Sequence, residues 1–259
     1  MHTDGVRQRL LLLRLWTLRE IRSRYAGSAL GLVWAVILPL VTIALYYLVF
    51  AVVLSVRIPE LSGSSGYFYY LLAGLIPWLT ISEGLNRAVG AIAAHEQFLQ
   101  KVVFPVEILP LSVLLASLLP QIVGSVLLFG LLGWSGHLAN SALWLLPIAL
   151  LAQLVISLGC GLALAALGMN LRDMVQAVPV VLQLLFYASP ILYPRSMVPE
   201  GFQLLFMLNP FALLAETWQA ALLGMPLSGQ SLIALAVWTM LLGAGGVLLF
   251  MRLRPALSE

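Results

Sequence analysis

The sequence predicts an all-α membrane protein. It has six transmembrane helices, an interfacial helix at the N-terminus, and two short re-entrant or interfacial helices between spans five and six. Three observations lead there. The first is composition: of 259 residues, 62% are hydrophobic and 9% charged, against about 45–50% and about 25% in soluble domains. Thirteen basic and ten acidic side chains are too few to solvate a protein of this size. A soluble globular enzyme, a disordered tail and a nucleic-acid-binding domain are thereby excluded. The second is a series of long stretches without charge, and the third is a lopsided distribution of arginine.

Each element follows from the charge-free stretches. Residues 29–56 carry no charge and exceed the ~30 Å hydrocarbon core at about 1.5 Å per residue, so span one tilts or starts at the interface. Residues 61–82 are the next stretch, with span two placed at 67–87 and Glu83 and Arg87 spaced i,i+4 at its end. Residues 108–171 contain no Asp, Glu, Lys or Arg. They make spans three and four, 108–132 and 142–168, with the turn at Gly133, Trp134, Ser135, Gly136 and His137 through Asn140. Spans five and six are 174–194 and 230–251. The intervening 195–229 is interrupted by Glu200, Asn209-Pro210, Glu216 and Gly224-Met225-Pro226. Non-helical backbone at membrane depth must be buried in protein or face a water-filled cavity. Two short helices on one side of the membrane meet that condition.

Basic residues set the orientation. An even span count puts both termini on one side, with Arg7, Arg9, Arg14, Arg19, Arg22, Arg24, Arg87, Lys101, Arg172, Arg252 and Arg254. Arg57 and Arg195 alone fall on the other side. The positive-inside rule makes the first side cytoplasmic. The basic N-terminus is read as retained, because the apolar run after it is too long for a signal peptide and lacks a small-residue cleavage site. No internal repeat is visible, which argues against transporters built on inverted repeats. The lone Cys160 excludes an intramolecular disulfide, and Lys101, the one lysine, is followed by Val102. A P-loop needs Lys followed by Ser or Thr. If ATP drives this protein, its hydrolysis takes place on another chain.

Four features are candidates for function. Residues 6–25 form an Arg-rich helix with Leu10, Leu11, Leu18, Ile21 and Tyr25 on one arc and Arg9, Arg19, Glu20 and Ser23 opposite. Arg7 and Arg14 intrude on the apolar arc. Such a helix is an interfacial anchor on anionic lipid or the wall of a cytoplasmic pore mouth. The loop 86–107 is longer than antiparallel helices require. It presents His95, Glu96, Gln97 and Lys101 beside Phe98, Phe104 and Pro105, the composition of a docking element. One His and one Glu are too few for a metal site. Glu83 is the deepest acid, and Arg87 one turn on is its expected salt-bridge partner. Tyr67, Phe68, Tyr69 and Tyr70 open span two and read as an aromatic belt. Phe186, Tyr187 and Tyr193 close span five and are able to stack on sugars.

Residues 18–40, LREIRSRYAGSALGLVWAVILPL, resemble the opening signature of ABC-2 type polysaccharide export permeases. FLQKVVFPVEILP at 98–110 is similar to that family's loop into span three. NLRDMVQAVPVVLQLLFYASPILYP at 170–194 resembles its fifth span, and LNPFALLAETWQAALLG at 208–224 its Asn-Pro segment. The motifs occur in order, and Ser189-Pro190-Ile191 resembles the O-antigen and teichoic-acid branches more than the capsule branch. The resemblance implies a half-transporter in the bacterial inner membrane with cytoplasmic termini. Two copies of the chain would pair with two ATP-binding cassette subunits, which hold ATP and Mg; this chain holds no cofactor. The cargo would be a lipid-linked polysaccharide moving from cytoplasm to periplasm. The resemblance further places an ATPase-coupling loop at 91–104 and its flank, through Pro105. It places a cytoplasmic interfacial helix at 6–25, with Arg19, Arg22, Arg24 and Tyr25, and periplasmic re-entrant helices at 197–223.

The gate expected at the periplasmic exit comprises Phe186, Tyr187, Ser189, Pro190 and Tyr193, facing Asn209 and Pro210. Pro190 would end regular helix, and a hydrated channel would satisfy the carbonyls it frees. Pro190 acting only as a packing kink is the plainer reading. Other readings are export of capsule polysaccharide, teichoic acid or a small hydrophobic molecule, a membrane-embedded glycosyl or acyl transferase, and a scaffold. A transferase needs acids or histidines converging on one cavity, whereas His2, His95 and His137 fall on both faces. A scaffold has no need of proline-broken spans.

Overall fold

The computed structural model describes residues 2–53, 55, 61, 66–102, 104–136 and 141–253, with the backbone alone for residues 2–4, 25, 32, 35, 39, 51 and 200. Arg57, His137, Asn140, Arg254 and the Tyr25 side chain therefore lie outside the described residues. Everything described is helix or connecting turn. The α-helices are α1 (His2–Tyr25), α2 (Trp34–Tyr47), α3 (Gly66–Ala88), α4 (Glu96–Leu99), α5 (Ile108–Trp134), α6 (Leu146–Asn170), α7 (Met174–Tyr187), α8 (Gln203–Leu208), α9 (Pro210–Leu223) and α10 (Gly229–Leu253).

Among the described residues, four helices are long and apolar enough to cross a membrane: Gly66–Ala88, Ile108–Trp134, Leu143–Asn170 and Gly229–Leu253. Two shorter apolar helices, Val36–Phe50 and Met174–Tyr187, stand where spans one and five were expected. α2 runs on through a π-helical stretch, Leu48–Val53. α7 stops at Tyr187, short of the expected end at 194, and residues 188–194 form a turn. At about 1.5 Å per residue its 14 residues cover about 21 Å, less than the hydrocarbon core. The reason is local. The Ser189 hydroxyl takes the Leu185 carbonyl at 2.7 Å, and Pro190 has no N–H with which to continue.

α3 is the hub. Most of its residues are buried, and it packs on α2, α5, α6, α7 and α9. α6 pairs closely with α10, because Gly159 and Gly246 let the two backbones approach. A Cβ at either position would strike the other helix's backbone. Small residues at such crossings are how helices pack where lipid supplies no hydrophobic drive. Two amides anchor the interior: Gln121 of α5 and Gln153 of α6 exchange hydrogen bonds at 3.0 and 2.6 Å. The Trp218 indole N–H of α9 adds a third to Gln153 Oε1 at 3.0 Å.

The 195–229 segment contains two 3₁₀ turns, Arg195–Met197 and Glu200–Phe202, then α8 and α9. Asn209 caps α9 by accepting from Phe211 N at 3.0 Å, with Pro210 in the first turn. Gly224, at φ 67°, ends it in the left-handed conformation glycine favours. α9 is buried along nearly its whole length, so it belongs to the core rather than lying on the surface.

Candidate functional site

The turn at 188–194 is enclosed. Ser189, Pro190, Ile191, Leu192 and Pro194 are buried. Its carbonyls are held by side chains from α3 and α9. Pro190 O accepts from the Tyr70 hydroxyl at 2.6 Å and from Gln219 Nε2 at 2.9 Å. Leu192 O accepts from the Tyr67 hydroxyl at 3.0 Å, and Tyr193 O from Tyr70 at 3.1 Å. These bonds correct two expectations. Protein groups, not a hydrated channel, satisfy the carbonyls at this break: the side chains hold those of the turn, and Phe186 O, which Pro190 leaves without its helical donor, accepts from Ser189 N at 3.1 Å. Tyr67 and Tyr70 are buried clamps rather than members of an aromatic belt.

The expected gate residues do come together. Asn209 Nδ2 donates to Ser189 Oγ at 3.0 Å and to Ala188 O at 3.2 Å, joining the start of α9 to the end of α7. Phe186 is buried against Tyr46, Trp78 and Tyr187, with centroids 5.3–5.6 Å away. The Tyr193 hydroxyl donates to the Tyr187 carbonyl. Pro210 is buried, so of the set Tyr187, 51% exposed, presents the broad free face. Pro190 sits in a hydrogen-bonded turn.

At the opposite end, α1 lies on α5 and on the loop after α3. Leu10, Leu11 and Leu18, which share the apolar arc, are exposed. The packed face carries Leu13, Trp16, Glu20 and Arg24 instead. Trp16 gathers the loop: His95, Phe98 and Phe104 have ring centroids 5.3, 5.7 and 5.1 Å from it. Phe98 and Phe104 also meet edge to face. The Arg19 guanidinium lies 4.5 Å over the indole. Pro105 is half-buried, and Glu96, Gln97 and Lys101 are exposed on α4 and the turn after it. The loop aromatics are thus mounted on α1, while the charged residues face outward.

Glu83 does not pair with Arg87. Arg24 reaches it across elements at 2.8 Å, and Arg87 pairs with Glu20. Arg24 approaches Glu20 at 3.9 Å and donates to the carbonyls of Val113 at 3.2 Å and Ala116 at 3.4 Å. The second carbonyl is the one Pro120, lacking N–H, leaves without its helical donor. Arg24 is 4% exposed, so a cation near the membrane is neutralised and tied to three helices. Arg22 stays exposed, and Arg9 pairs with Glu107 at 3.3 Å. A cleft of about 370 Å³ opens beside the cluster, between Trp34, Ser82, Asn86 and Arg87.

Sequence reasoning missed Tyr70, Gln219, Gln121 and Gln153 as organising residues. An amide deep in an apolar span is costly unless bonded, and that signal was legible for the three glutamines. Tyr70 carried none, because a tyrosine near a span end is equally at home in a belt.

The family model described as ABC-2 type transporter matches residues 12–223. An O-antigen export system permease protein, RfbA of Klebsiella pneumoniae, is 28% identical over 96% of this chain and 94% of its own length. The protein of the same name from Myxococcus xanthus is 32% identical over 78% of this chain and 76% of its own. The polysialic acid transport protein KpsM of Escherichia coli is 29% identical over 86% of each.

Proposed function

From its membership of the ABC-2 type transporter family, we propose that this chain is the transmembrane subunit of an ATP-driven polysaccharide exporter. Its cargo is a lipid-linked, O-antigen-like glycan carried from cytoplasm to periplasm. The observation that carries this reading is the near end-to-end likeness to O-antigen export permeases. The chain is a transport subunit and not an enzyme; hydrolysis belongs to a partner. Two copies and two ATP-binding cassette subunits complete the exporter in the inner membrane, with six spans and both termini in the cytoplasm. The short α2 and α7 then cross with help from the π-helical stretch and from the turn at 188–194.

The arrangement supports a mechanical division of labour. Glu96, Gln97 and Lys101 meet the ATPase, with Phe98, Phe104 and Pro105 behind them. Trp16 passes the motion of that loop to α1, and Arg24 passes it on to α3 and α5. At the other end, Ser189, Pro190 and Asn209 form a closed plug beside Tyr187, whose ring offers a sugar-stacking face without fixing one sugar sequence. The likeness to a polysialic acid transport protein favours a capsule glycan as the second reading.

The test is deletion of the gene followed by complementation. Loss of surface glycan, accumulation of its lipid-linked form inside, and rescue by the intact chain are expected. Unchanged surface glycan would reject the reading, and the chemistry of the accumulated glycan separates O-antigen from capsule.

A further inference from the structure

A pocket of about 500 Å³ lies behind the exit turn, away from the exposed Tyr187 face. Tyr70 and Gln219, which clamp the turn, line it together with Pro190 of the turn itself and with Arg195, Glu216 and Ser231. Nothing in the transport reading uses it.

Its chemistry is specific. Arg195 Nη1 stands 3.7 Å from Glu216 Oε1, so the one cation and the one anion among the described lining residues offset each other. Arg195 also donates to Gln203 O at 3.3 Å. The Ser231 hydroxyl meets Ser228 Oγ at 2.9 Å and hydrogen-bonds Glu216. Gln219 spends its N–H on Pro190 O and keeps its carbonyl oxygen to accept. Pro194, Met225 and Pro226 contribute flat apolar surface. Among the described residues the site thus mixes donors and acceptors, has no net charge, and carries C–H faces. A free anion or cation gains little in such a site. A neutral pyranose, with hydroxyls at its rim and C–H groups on its faces, matches each wall, and the volume lies in the range of small-ligand pockets, about 300–1,000 Å³.

We propose that this pocket binds an uncharged sugar unit of the emerging glycan, separately from the translocation path. This rests on the export reading. Because the bound sugar would touch Tyr70, Pro190 and Gln219 directly, occupancy bears on the clamps that hold the exit turn closed. The site would report, from the periplasmic side, that polymer has emerged.

The test is site-specific photocrosslinking in cells that hold the full exporter and are fed a radiolabelled hexose. A benzophenone amino acid replaces Leu227 at the pocket, Tyr187 on the turn's exposed face, or Trp134, a 94% exposed control at the end of α5. The proposal expects labelled glycan on the Leu227 variant several-fold above the Trp134 variant. It further expects that Ser228→Trp, which fills the pocket, or Ser231→Leu, which removes a hydroxyl, returns capture to the control level. Capture at Tyr187 but only control-level capture at Leu227, with glycan still reaching the surface, would overturn the pocket and leave the export reading standing. Capture of phospholipid in place of glycan at Leu227 would overturn the ligand class. A parent strain that exports no labelled glycan would contradict the export reading itself, and the pocket with it.

Discussion

Arg24 of α1 bonds Glu83 of α3 at 2.8 Å, across 59 residues of sequence, while the Arg87 that lies one turn from Glu83 turns to Glu20. The four charges form a crossed set rather than two local pairs. The crossing matters because it fastens the interfacial helix to α3 twice, while Arg24 also ties it to the Val113 and Ala116 carbonyls of α5.

A double-mutant cycle checks the crossing. Arg24 is buried while Glu83 is 39% exposed, so removing Arg24 costs chiefly the charge-assisted hydrogen bonds it donates, about 1.5–3 kcal/mol each. Arg24→Ala is expected to lower the thermal midpoint of the purified protein steeply, and Arg24→Lys to rescue little, since one ammonium cannot copy a guanidinium fork. Coupling between Arg24 and Glu83 should exceed 1 kcal/mol, roughly the upper value for an exposed pair. Coupling between Glu83 and Arg87 should be near zero; the reverse ranking refutes the crossed arrangement.

Trp16 should matter to ATPase docking although it lies outside the loop. Each aromatic pair it makes is worth about 0.5–1.5 kcal/mol beyond buried area. Trp16→Ala is expected to match Phe98→Ala in weakening co-purification of the ATPase or uncoupling hydrolysis from export. Full coupling in a well-expressed Trp16→Ala protein would break the proposed link from loop to α1.

The closed exit turn depends on two donors to one carbonyl. Tyr70→Phe combined with Gln219→Leu removes both bonds to Pro190 O. A buried carbonyl left unsatisfied costs about 1–3 kcal/mol. Assembly should persist, with a lower thermal midpoint and slowed or leaky export. Pro190→Ala and Tyr193→Ala are expected to alter export likewise without dissociating the complex. Wild-type export in all three would reduce the turn to packing.

Glu216 gives a pH signature. Burial raises its pKa above the usual value, against lowering by Arg195 and by the Ser231 hydrogen bond. A carboxyl with a folded pKa above its unfolded one contributes stability below the unfolded pKa and loses it as pH rises through the folded pKa. Glu216→Gln mimics the neutral acid. The midpoint of the variant minus that of the wild type should therefore increase from pH 4 to pH 8. A difference that falls over this range would show that the Arg195 pair dominates instead.

Much of this was legible in the sequence, and the failures share a cause. Charge-free stretches located α3, α5, α6 and α10, since a helix shielded from water must satisfy its own backbone. Asn209-Pro210 and Gly224 interrupt the apolar run at what prove to be the two ends of α9. What escaped was partner choice across elements. The i,i+4 rule named Arg87 for Glu83 because spacing along one helix is visible in sequence and the approach of α1 is not. Likewise Pro190 announced a break in the helix, but only the fold brings Tyr67, Tyr70 and Gln219 to the carbonyls of the turn that follows. The wheel of α1 marked its apolar arc, but it could not show that Leu13, Trp16, Glu20 and Arg24 make the protein contacts, because in lipid leucine has no need to turn inward.

The most direct test of the export reading is reconstitution of the chain with its partner ATPase in proteoliposomes loaded with the lipid-linked glycan. Accessibility of the glycan to an added glycosidase reports its leaflet. ATP should make protected glycan accessible on the periplasmic face, only with both chains present and not with a hydrolysis-deficient ATPase. Glycan that stays protected while ATP is hydrolysed by the intact complex, or that crosses equally well without ATP, would contradict it.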